Sequence, residues 1–246
     1  MTKPVLILQL RPEDETSDSE IQAILKYGGL DNKQVQRIRI ENTGIPDDLV
    51  LDDYSAVIVG GSPFDISTPQ QEKSAIQIKI EQDFMRLFDD IVGRDFPFFG
   101  ACSGNALLGR YLGASVSSRY REPVSCVTLD LTEEGKNDPL LAGFPDRISV
   151  LLGHKEACDT LPEGAILLMR GSACPVQMFR VRRNVYATQF HPEGDPEGFT
   201  VRINVYNHHG YFKPEEAEDL IERISHAETP YAQEILKRFV RRYAEE

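Results

Sequence analysis

Cysteine is scarce in this chain. Its 246 residues include four cysteines, Cys102, Cys126, Cys158 and Cys174. No two of them stand in a Cys-x-x-Cys spacing, which argues against a zinc site and against a redox-active dithiol. So few cysteines in a chain of this length are typical of a reducing compartment, where a free thiol persists. We therefore expect no metal and no other cofactor.

Basic residues and long apolar segments are also scarce. Lys and Arg number 27 against 39 Asp and Glu, which gives a net charge of −12. Such a surface repels nucleic acid and anionic membranes, so we expect neither as a partner. No apolar run approaches the roughly 20 residues of a membrane span. The N-terminal Met1-Thr-Lys-Pro-Val leads into a strand without a signal-peptide pattern, and we predict a cytoplasmic protein.

The composition is sufficient for one large core. Hydrophobic residues make up 41% of the chain, and a chain of this size can bury a substantial apolar interior. Internal repeats, low-complexity segments and interdomain linkers are not found in the sequence. We therefore predict a single domain over residues 1–246.

Short apolar runs alternate with helix-like segments in the first half of the chain. Residues 5–10 and 56–60 are typical of buried parallel strands, and residues 35–40 of a strand near an edge. Residues 76–92 carry a helical apolar stripe. The charged stretch 11–19 is predicted to be a solvated loop that precedes a short helix over residues 20–26.

The later half is richer in strands. The strand-like runs are residues 124–131, 147–152, 165–169, 176–181 and 185–190, and the last two are joined by a hairpin turn at Arg182-Arg183-Asn184. Helix-like sequence returns from residue 200, and the last helix has a stripe formed by Ile235, Leu236, Phe239 and Val240. These patterns predict an α/β fold with a central, mostly parallel sheet and a β-rich later half.

A possible nucleophile elbow is the central motif. Gly100-Ala-Cys102-Ser-Gly104 joins an apolar run to a helix-like segment. A sharp, strained strand-to-helix turn requires small neighbours, which the two glycines supply. The first N–H groups of the helix point at the sulfur and favour a thiolate. Taken alone, the pattern is equally compatible with a buried cysteine in an ordinary corner, and the other three cysteines are expected to be small buried hydrophobic residues.

Two further strand ends supply partners for this cysteine. His191 and Glu193 follow the run 185–190, and Gly60-Gly61 ends the run 56–60. Residues just beyond the carboxyl ends of parallel strands collect on one rim of the sheet. Cys, His and Glu are the nucleophile, the base and the orienting carboxylate that acyl transfer requires. A Gly-Gly turn is most often only a tight turn, but on this rim it favours a backbone donor for an oxyanion.

Together these motifs resemble the triad type of class I glutamine amidotransferases. Gly153-His154-Lys155-Glu156, Leu161-Pro-Glu-Gly-Ala165 and Ser172-Ala-Cys-Pro175-Val-Gln177 match the loop pattern of the GMP-synthase-like branch of that family. The resemblance implies a flavodoxin-like three-layer α/β sandwich. It also implies a thiolate that attacks the γ-amide of glutamine, forms a γ-glutamyl thioester and releases ammonia.

The resemblance assigns roles to individual residues. It implies Cys102 as nucleophile, His191 as base and acid, and Glu193 as the orienting carboxylate. The oxyanion donors fall on the backbone N–H groups of Gly61 and Ser103. The substrate-binding positions are Gly60, His154, Lys155 and Glu156.

Two departures from the family pattern keep the function open. Ala106 stands where the family carries a Gln that helps to hold the substrate, so a γ-glutamyl compound is an alternative to free glutamine. About fifty residues follow Glu193, too few for a synthetase domain, and no phosphate-binding P-loop is present. An ammonia-accepting synthetase on a separate chain is therefore a possible partner.

Two other functions remain as alternatives. The missing Gln permits a relative that is catalytically idle and has a regulatory or binding role in a complex. A different α/β Cys hydrolase, similar to dienelactone hydrolase, would explain the elbow. It would not explain His191-Pro-Glu193 or the Gly-Gly turn.

Overall fold

The structure is a computed structural model that describes residues 3–209 and 212–244. Its strands are β1 (Val5–Gln9), β2 (Val35–Arg39), β3 (Ala56–Val59), β4 (Phe98–Ala101), β5 (Val116–Ser117), β6 (Glu122–Leu131), β7 (Arg147–His154), β8 (Ala157–Cys158), β9 (Ala165–Arg170), β10 (Met178–Val181) and β11 (Val185–Thr188). Its α-helices are α1 (Asp14–Gly28), α2 (Ile40–Thr43), α3 (Ala75–Arg94), α4 (Ser103–Tyr111), α5 (Glu133–Lys136), α6 (Pro196–Val205), α7 (Ala217–Ile224) and α8 (Pro230–Ala244). Short 3₁₀ turns cover Leu51–Asp53, Gln70–Glu72, Ser118–Tyr120 and Pro214–Glu216.

Nine of the strands form one sheet in the order β2-β1-β3-β4-β11-β10-β9-β6-β7. The first five strands in this order pair in parallel, and the remaining pairs are antiparallel. Strands β5 and β8 form a separate antiparallel pair. β2 lies at the edge, as its wetter sequence predicts, and the turn between β10 and β11 is the predicted hairpin.

Alternate side chains of β1 enter two separate cores. Val5 and Ile7 pack in a cluster that contains residues of α1 and α8, whereas Leu6 and Leu8 pack with residues of α3 and α4. Successive residues of a strand point to opposite faces, so the parallel half of the sheet is covered on both sides. The predicted three-layer α/β arrangement with a β-rich later half is therefore confirmed.

The stretch predicted as a solvated loop is largely helical. α1 begins at Asp14, whose carboxylate and that of Glu15 lie in the first turn, where negative charge is favourable. Thr16 and Ser17 are fully buried. The sequence pattern does not indicate this helix, because some of the polar side chains in the charged stretch are buried rather than solvated. The predicted helix over residues 20–26 is the later part of α1.

Cys126 is exposed, which corrects the prediction that it is a buried hydrophobic residue. It lies on β6, where buried and exposed residues roughly alternate. Cys158 and Cys174 are fully buried, as predicted. No helix within residues 3–209 or 212–244 has the length and hydrophobicity to cross a membrane.

Candidate active site

Cys102 lies at a sharp turn between β4 and α4. Its backbone is in the left-handed region, with φ 52° and ψ −95°, a conformation that costs on the order of 1–3 kcal/mol for a non-glycine residue. Its N–H donates a hydrogen bond of 2.8 Å to the carbonyl of Thr188 on β11. A Cβ atom on Gly100 would lie 2.8 Å from the carbonyl carbon of Gly104. Glycine at position 100 is therefore needed for the turn.

His191 and Glu193 follow β11, which lies next to β4 in the sheet. The imidazole Nδ1 of His191 lies 2.7 Å from Oε1 of Glu193, and Arg202 Nη2 donates to the same oxygen at 2.8 Å. All three side chains are buried. With Nδ1 held by the carboxylate, Nε2 is left to accept a proton. His191 and Cys102 line one cavity.

Burial determines the protonation states of this pair. It raises the pKa of Cys102 to about 12, although Arg11 and Arg202 act in the opposite direction. It also lowers the pKa of His191. Burial acts to raise the pKa of Glu193, but His191 and Arg202 favour the carboxylate and together hold that pKa well below its usual value. The free site therefore holds a thiol and a neutral imidazole near pH 7, not the thiolate that the helix terminus alone predicts.

The Gly60-Gly61 turn lies against a buried carboxylate. The N–H of Gly61 donates to Glu20 Oε1 at 3.2 Å, and a Cβ atom on Gly60 would lie 2.5 Å from Oε2 of the same residue. Arg11 Nε and Gln9 Nε2 also donate to Glu20, at 2.7 Å and 3.0 Å. The Gly61 N–H can meet an oxyanion only after Glu20 has moved. Gly60 provides space for that carboxylate.

The other predicted oxyanion donor is Ser103. It is the first residue of α4, and it is buried beside Cys102. The first N–H groups of a helix have no partner within the helix itself.

The three predicted substrate residues of the 154–156 segment lie beside Cys102, where they already have protein partners. His154 Nε2 is 3.1 Å from Glu122 Oε2, and the carboxylate of Glu156 accepts from the backbone N–H groups of residues 66 and 67. Lys155 Nζ pairs with Asp65 at 2.7 Å. These side chains form one wall of a second cavity at Cys102.

One buried cluster has a donor set that a metal ion can use. The ligand atoms of Glu122, His154 and Cys174 lie within 4.8 Å of one another. Glu122 Oε2 is already bonded to His154, and it accepts from Gln177 Nε2 at 2.6 Å. Burial raises the pKa of the Cys174 thiol to about 12, so it is protonated at neutral pH. We assign the cluster to internal hydrogen bonding.

Two cavities meet at Cys102. The first, which we call the His191 cavity, is lined by Arg11, Ser62, Cys102, Val124, Gly153, His191, Phe199, Arg202, Ile203, Tyr206 and Phe212. The second, which we call the Ala106 cavity, is lined by Ser62, Phe64, Asp65, Cys102, Ser103, Ala106, His154, Lys155, Glu156 and Gln189. Cys102 and Ser62 belong to both linings, so both cavities reach the nucleophile.

Sequence reasoning missed several residues at these cavities. Arg11 follows the end of β1 on the predicted rim, which was a usable signal. Arg202 lies on α6, and only the folded chain brings it to Glu193. Gln189 precedes His191 by two residues, and its Nε2 lies 4.0 Å from the Cys102 sulfur.

Known proteins resemble this chain over most of its length. The family model described as Glutamine amidotransferase class-I matches residues 15–204. The chain is 23% identical over 189 residues to a subunit of the glutamine-hydrolyzing GMP synthase of Methanobrevibacter smithii, and the match covers 74% of this chain and 90% of that protein. It is 26% identical over 170 residues to the subunit of the same name from Pyrococcus abyssi, with coverages of 69% and 79%.

A solved structure supports the fold. The crystal structure of a glutamine amidotransferase from Thermotoga maritima aligns with a TM-score of 0.75 at 21% identity, and the alignment covers 98% of this chain and 99% of that one.

Proposed function

The chain belongs to the class I glutamine amidotransferase family, and from this premise we propose that it hydrolyses the γ-amide of glutamine or of a related γ-glutamyl compound through a thioester on Cys102. The observation that carries the proposal is a strained cysteine at a helix start, in one cavity with a histidine that is bonded to a buried carboxylate. This combination supplies a nucleophile, a base and an orienting group. Family membership sets aside the dienelactone-hydrolase-like alternative.

The chemistry starts from a neutral pair. His191 takes the thiol proton as the Cys102 sulfur attacks the γ-carbonyl carbon, and Glu193 stabilises the imidazolium. Arg202 holds Glu193 in place through its 2.8 Å hydrogen bond. The imidazolium then protonates the leaving nitrogen as the C–N bond breaks. Water, deprotonated by His191, cleaves the thioester to give glutamate and the free thiol.

The oxyanion requires donors in the same place. The N–H of Ser103, at the start of α4, lies next to the nucleophile in the chain, and we assign it this role. The N–H of Gly61 is the second donor in this proposal, and it becomes available when substrate displaces the Glu20 carboxylate. One such donor contributes about 3–4 kcal/mol in other acyl-transfer enzymes.

The Ala106 cavity is the proposed site of the γ-glutamyl group. Ala106 offers no hydrogen bond there, but Gln189 lines the same cavity, and its Oε1 is buried without a hydrogen-bond partner among the described residues. The amide of Gln189 therefore supplies a polar group for the substrate, and the segment from His154 to Glu156, whose side chains have protein partners, forms the wall beside it. Some relatives are named as subunits of a GMP synthase, so we propose that a separate synthetase chain accepts ammonia when glutamine is the substrate.

The test is release of glutamate, together with ammonia from glutamine or with the corresponding amine from each member of a panel of γ-glutamyl amides. The proposal expects turnover by the wild type, loss of at least about a thousandfold in Cys102→Ser and His191→Ala, and a γ-glutamyl adduct on Cys102 in intact-protein mass spectra. Equal rates for wild type and His191→Ala would contradict it. Failure to turn over any compound, with or without the synthetase chain of a GMP synthase, would favour the catalytically idle alternative.

A further inference from the structure

Arg202 carries N–H groups that nothing in the described part of the protein accepts. Its Nη2 donates to Glu193, but Nε and Nη1 are buried without a hydrogen-bond partner among residues 3–209 and 212–244. The residue is only 7% exposed. A buried cationic donor without an acceptor is unfavourable, so these N–H groups need an acceptor that is not part of the described chain, either an ordered water or a group of a ligand.

The unsatisfied guanidinium belongs to the His191 cavity. It lines this cavity together with Cys102 and His191, so a group bound to it lies beside the reacting atoms. The cavity has an apolar component as well. Its apolar side chains are Val124, Phe199, Ile203 and Phe212. A ligand that fits this lining combines an anionic group with an aliphatic or aromatic body.

The neighbouring charged groups leave two nitrogens of Arg202, Nε and Nη1, available to a ligand. Arg11 is paired with Glu20 at 2.7 Å, and Glu193 is shared between His191 and Arg202. Glu20 also lies 4.0 Å from Arg202 Nη2, so both carboxylates act on Nη2 and neither accepts from Nε or Nη1. Nε and Nη1 lie on different edges of the guanidinium, so a carboxylate would use one of them together with the second hydrogen of Nη2. Charge-assisted pairing of this kind is stronger than a neutral hydrogen bond.

The position of His191 identifies which part of the substrate enters this cavity. The imidazolium must protonate the leaving nitrogen, so the leaving group lies on the same side of Cys102 as His191. The γ-glutamyl group then extends into the Ala106 cavity, whose lining does not include His191. Ammonia carries no anionic group that could pair with the unsatisfied N–H groups of Arg202.

We propose that the His191 cavity is a subsite for a leaving group with a carboxylate and an apolar side chain, so that the preferred substrate is a γ-glutamyl amide of an apolar amino acid. This inference rests on the proposed thioester chemistry and names its substrate class. The sulfur replaces the amino-acid nitrogen on the γ-carbonyl carbon, and that nitrogen takes its proton from His191. Water then releases glutamate, so γ-glutamyl amino acid and water give glutamate and the free amino acid.

The first experiment compares γ-glutamyl-leucine with γ-glutamyl-leucinamide, in which the carboxylate of the leucine is replaced by a neutral amide. We expect the wild type to prefer the former by about tenfold or more in kcat/KM. Arg202→Gln should remove the preference, and Arg202→Lys should retain part of it. Arg202→Gln also removes the hydrogen bond to Glu193 and so lowers kcat/KM for both substrates. Because both substrates use the same triad, this loss cancels in the ratio of their kcat/KM values. A wild-type ratio near one, or a ratio that Arg202→Gln leaves unchanged, overturns the inference.

A second pair of variants tests the same charge without touching the triad. Phe212→Asp places a negative charge in the lining, and Phe212→Asn is its neutral counterpart of equal size. We expect the aspartate variant to lower kcat/KM for γ-glutamyl-leucine relative to the asparagine variant, and to leave γ-glutamyl-leucinamide equal in the two. Equal rates for γ-glutamyl-leucine in both variants would contradict an anion in this cavity.

Direct binding separates this inference from the proposed function. Calorimetric titration of Cys102→Ser with leucine should show binding that leucinamide and Arg202→Gln lack. Binding of leucine without any thioester chemistry would support the subsite while the proposed function fails. Thioester formation from glutamine, with no binding of leucine and no preference for γ-glutamyl-leucine, would retain the proposed function and reject the subsite.

Discussion

At the scale of single residues, the low solvent access of the site favours the neutral forms of both Cys102 and His191. The base must be unprotonated to accept the thiol proton, and burial lowers the pKa of His191 from its ordinary value of 6.5. Activity should therefore persist as the pH falls through 6.5 and be lost only at lower pH. We expect the acid limb of kcat/KM, measured from pH 4 to 9 on the best substrate, to have its midpoint below 6.5.

Variants of the two groups around the imidazole should move that midpoint in opposite directions. Glu193 raises the pKa of His191 and Arg202 lowers it. Glu193→Gln should shift the acid limb to lower pH with a reduced plateau, and Arg202→Gln should shift it to higher pH. Shifts of the reverse sign would show that His191 is not the group that titrates.

The substitution Ala106→Gln tests the departure from the family pattern. Ala106 is buried in the wall of the Ala106 cavity, where a side-chain amide would gain a hydrogen bond to the γ-glutamyl group. One such bond contributes about 1 kcal/mol, so we expect kcat/KM for glutamine to rise roughly fivefold. Ala106→Leu fills similar space without an amide and should not raise it. An equal rise of kcat/KM in both variants would show that packing, and not a hydrogen bond, causes the effect.

At the scale of elements, the elbow depends on close contact between β4 and α4. A Cβ atom on Gly100 would meet the backbone of Gly104 at 2.8 Å, and neither backbone can give without moving the nucleophile. We expect Gly100→Ala to lose about 1–3 kcal/mol of unfolding free energy and most of the activity. In Gly93→Ala, on α3, the new atom has nothing within 4 Å, and stability should be unchanged or slightly higher. Urea unfolding measures both, and equal stability of the two variants would refute the contact argument.

The elements also show what a sequence can predict. The strands β1, β3, β4 and β11 were predictable because each is a short apolar run that ends in a small or polar motif. Cys102, His191 and Glu193 follow from them, since they lie just past strand ends.

The sequence predicts a helix from residue 20, whereas α1 begins at Asp14. The difference arises because charged residues indicate a solvated loop even where they form ion pairs inside the protein. The Arg11–Glu20 ion pair and the bond between Arg202 and Glu193 depend on side-chain directions that no local pattern contains.

At the scale of the whole molecule, α8 completes the core on one side of the parallel half of the sheet. Phe239 is fully buried, and its ring lies 5.2 Å from that of Phe99 and 6.3 Å from that of Tyr186. Phe239→Ala should cost about 3–5 kcal/mol of unfolding free energy because it leaves a cavity between helix and sheet. Tyr231→Ala, on the same helix at 43% exposure, should cost far less. Similar losses of unfolding free energy in the two variants would contradict the conclusion that α8 is held mainly by its buried face.

The position of α8 has a consequence for synthesis on the ribosome. This helix is the last described element of the chain, and it packs against α1 and shares a core with Val5 and Ile7 of β1, the first strand. A nascent chain that has released its strands from the exit tunnel but not residues 230–244 therefore leaves uncovered the part of this apolar sheet face that α1 does not cover. Such a surface is what chaperones bind, and it promotes aggregation until it is covered. Closure of this face must wait until α8 has left the tunnel, and until then the exposed apolar residues are open to aggregation.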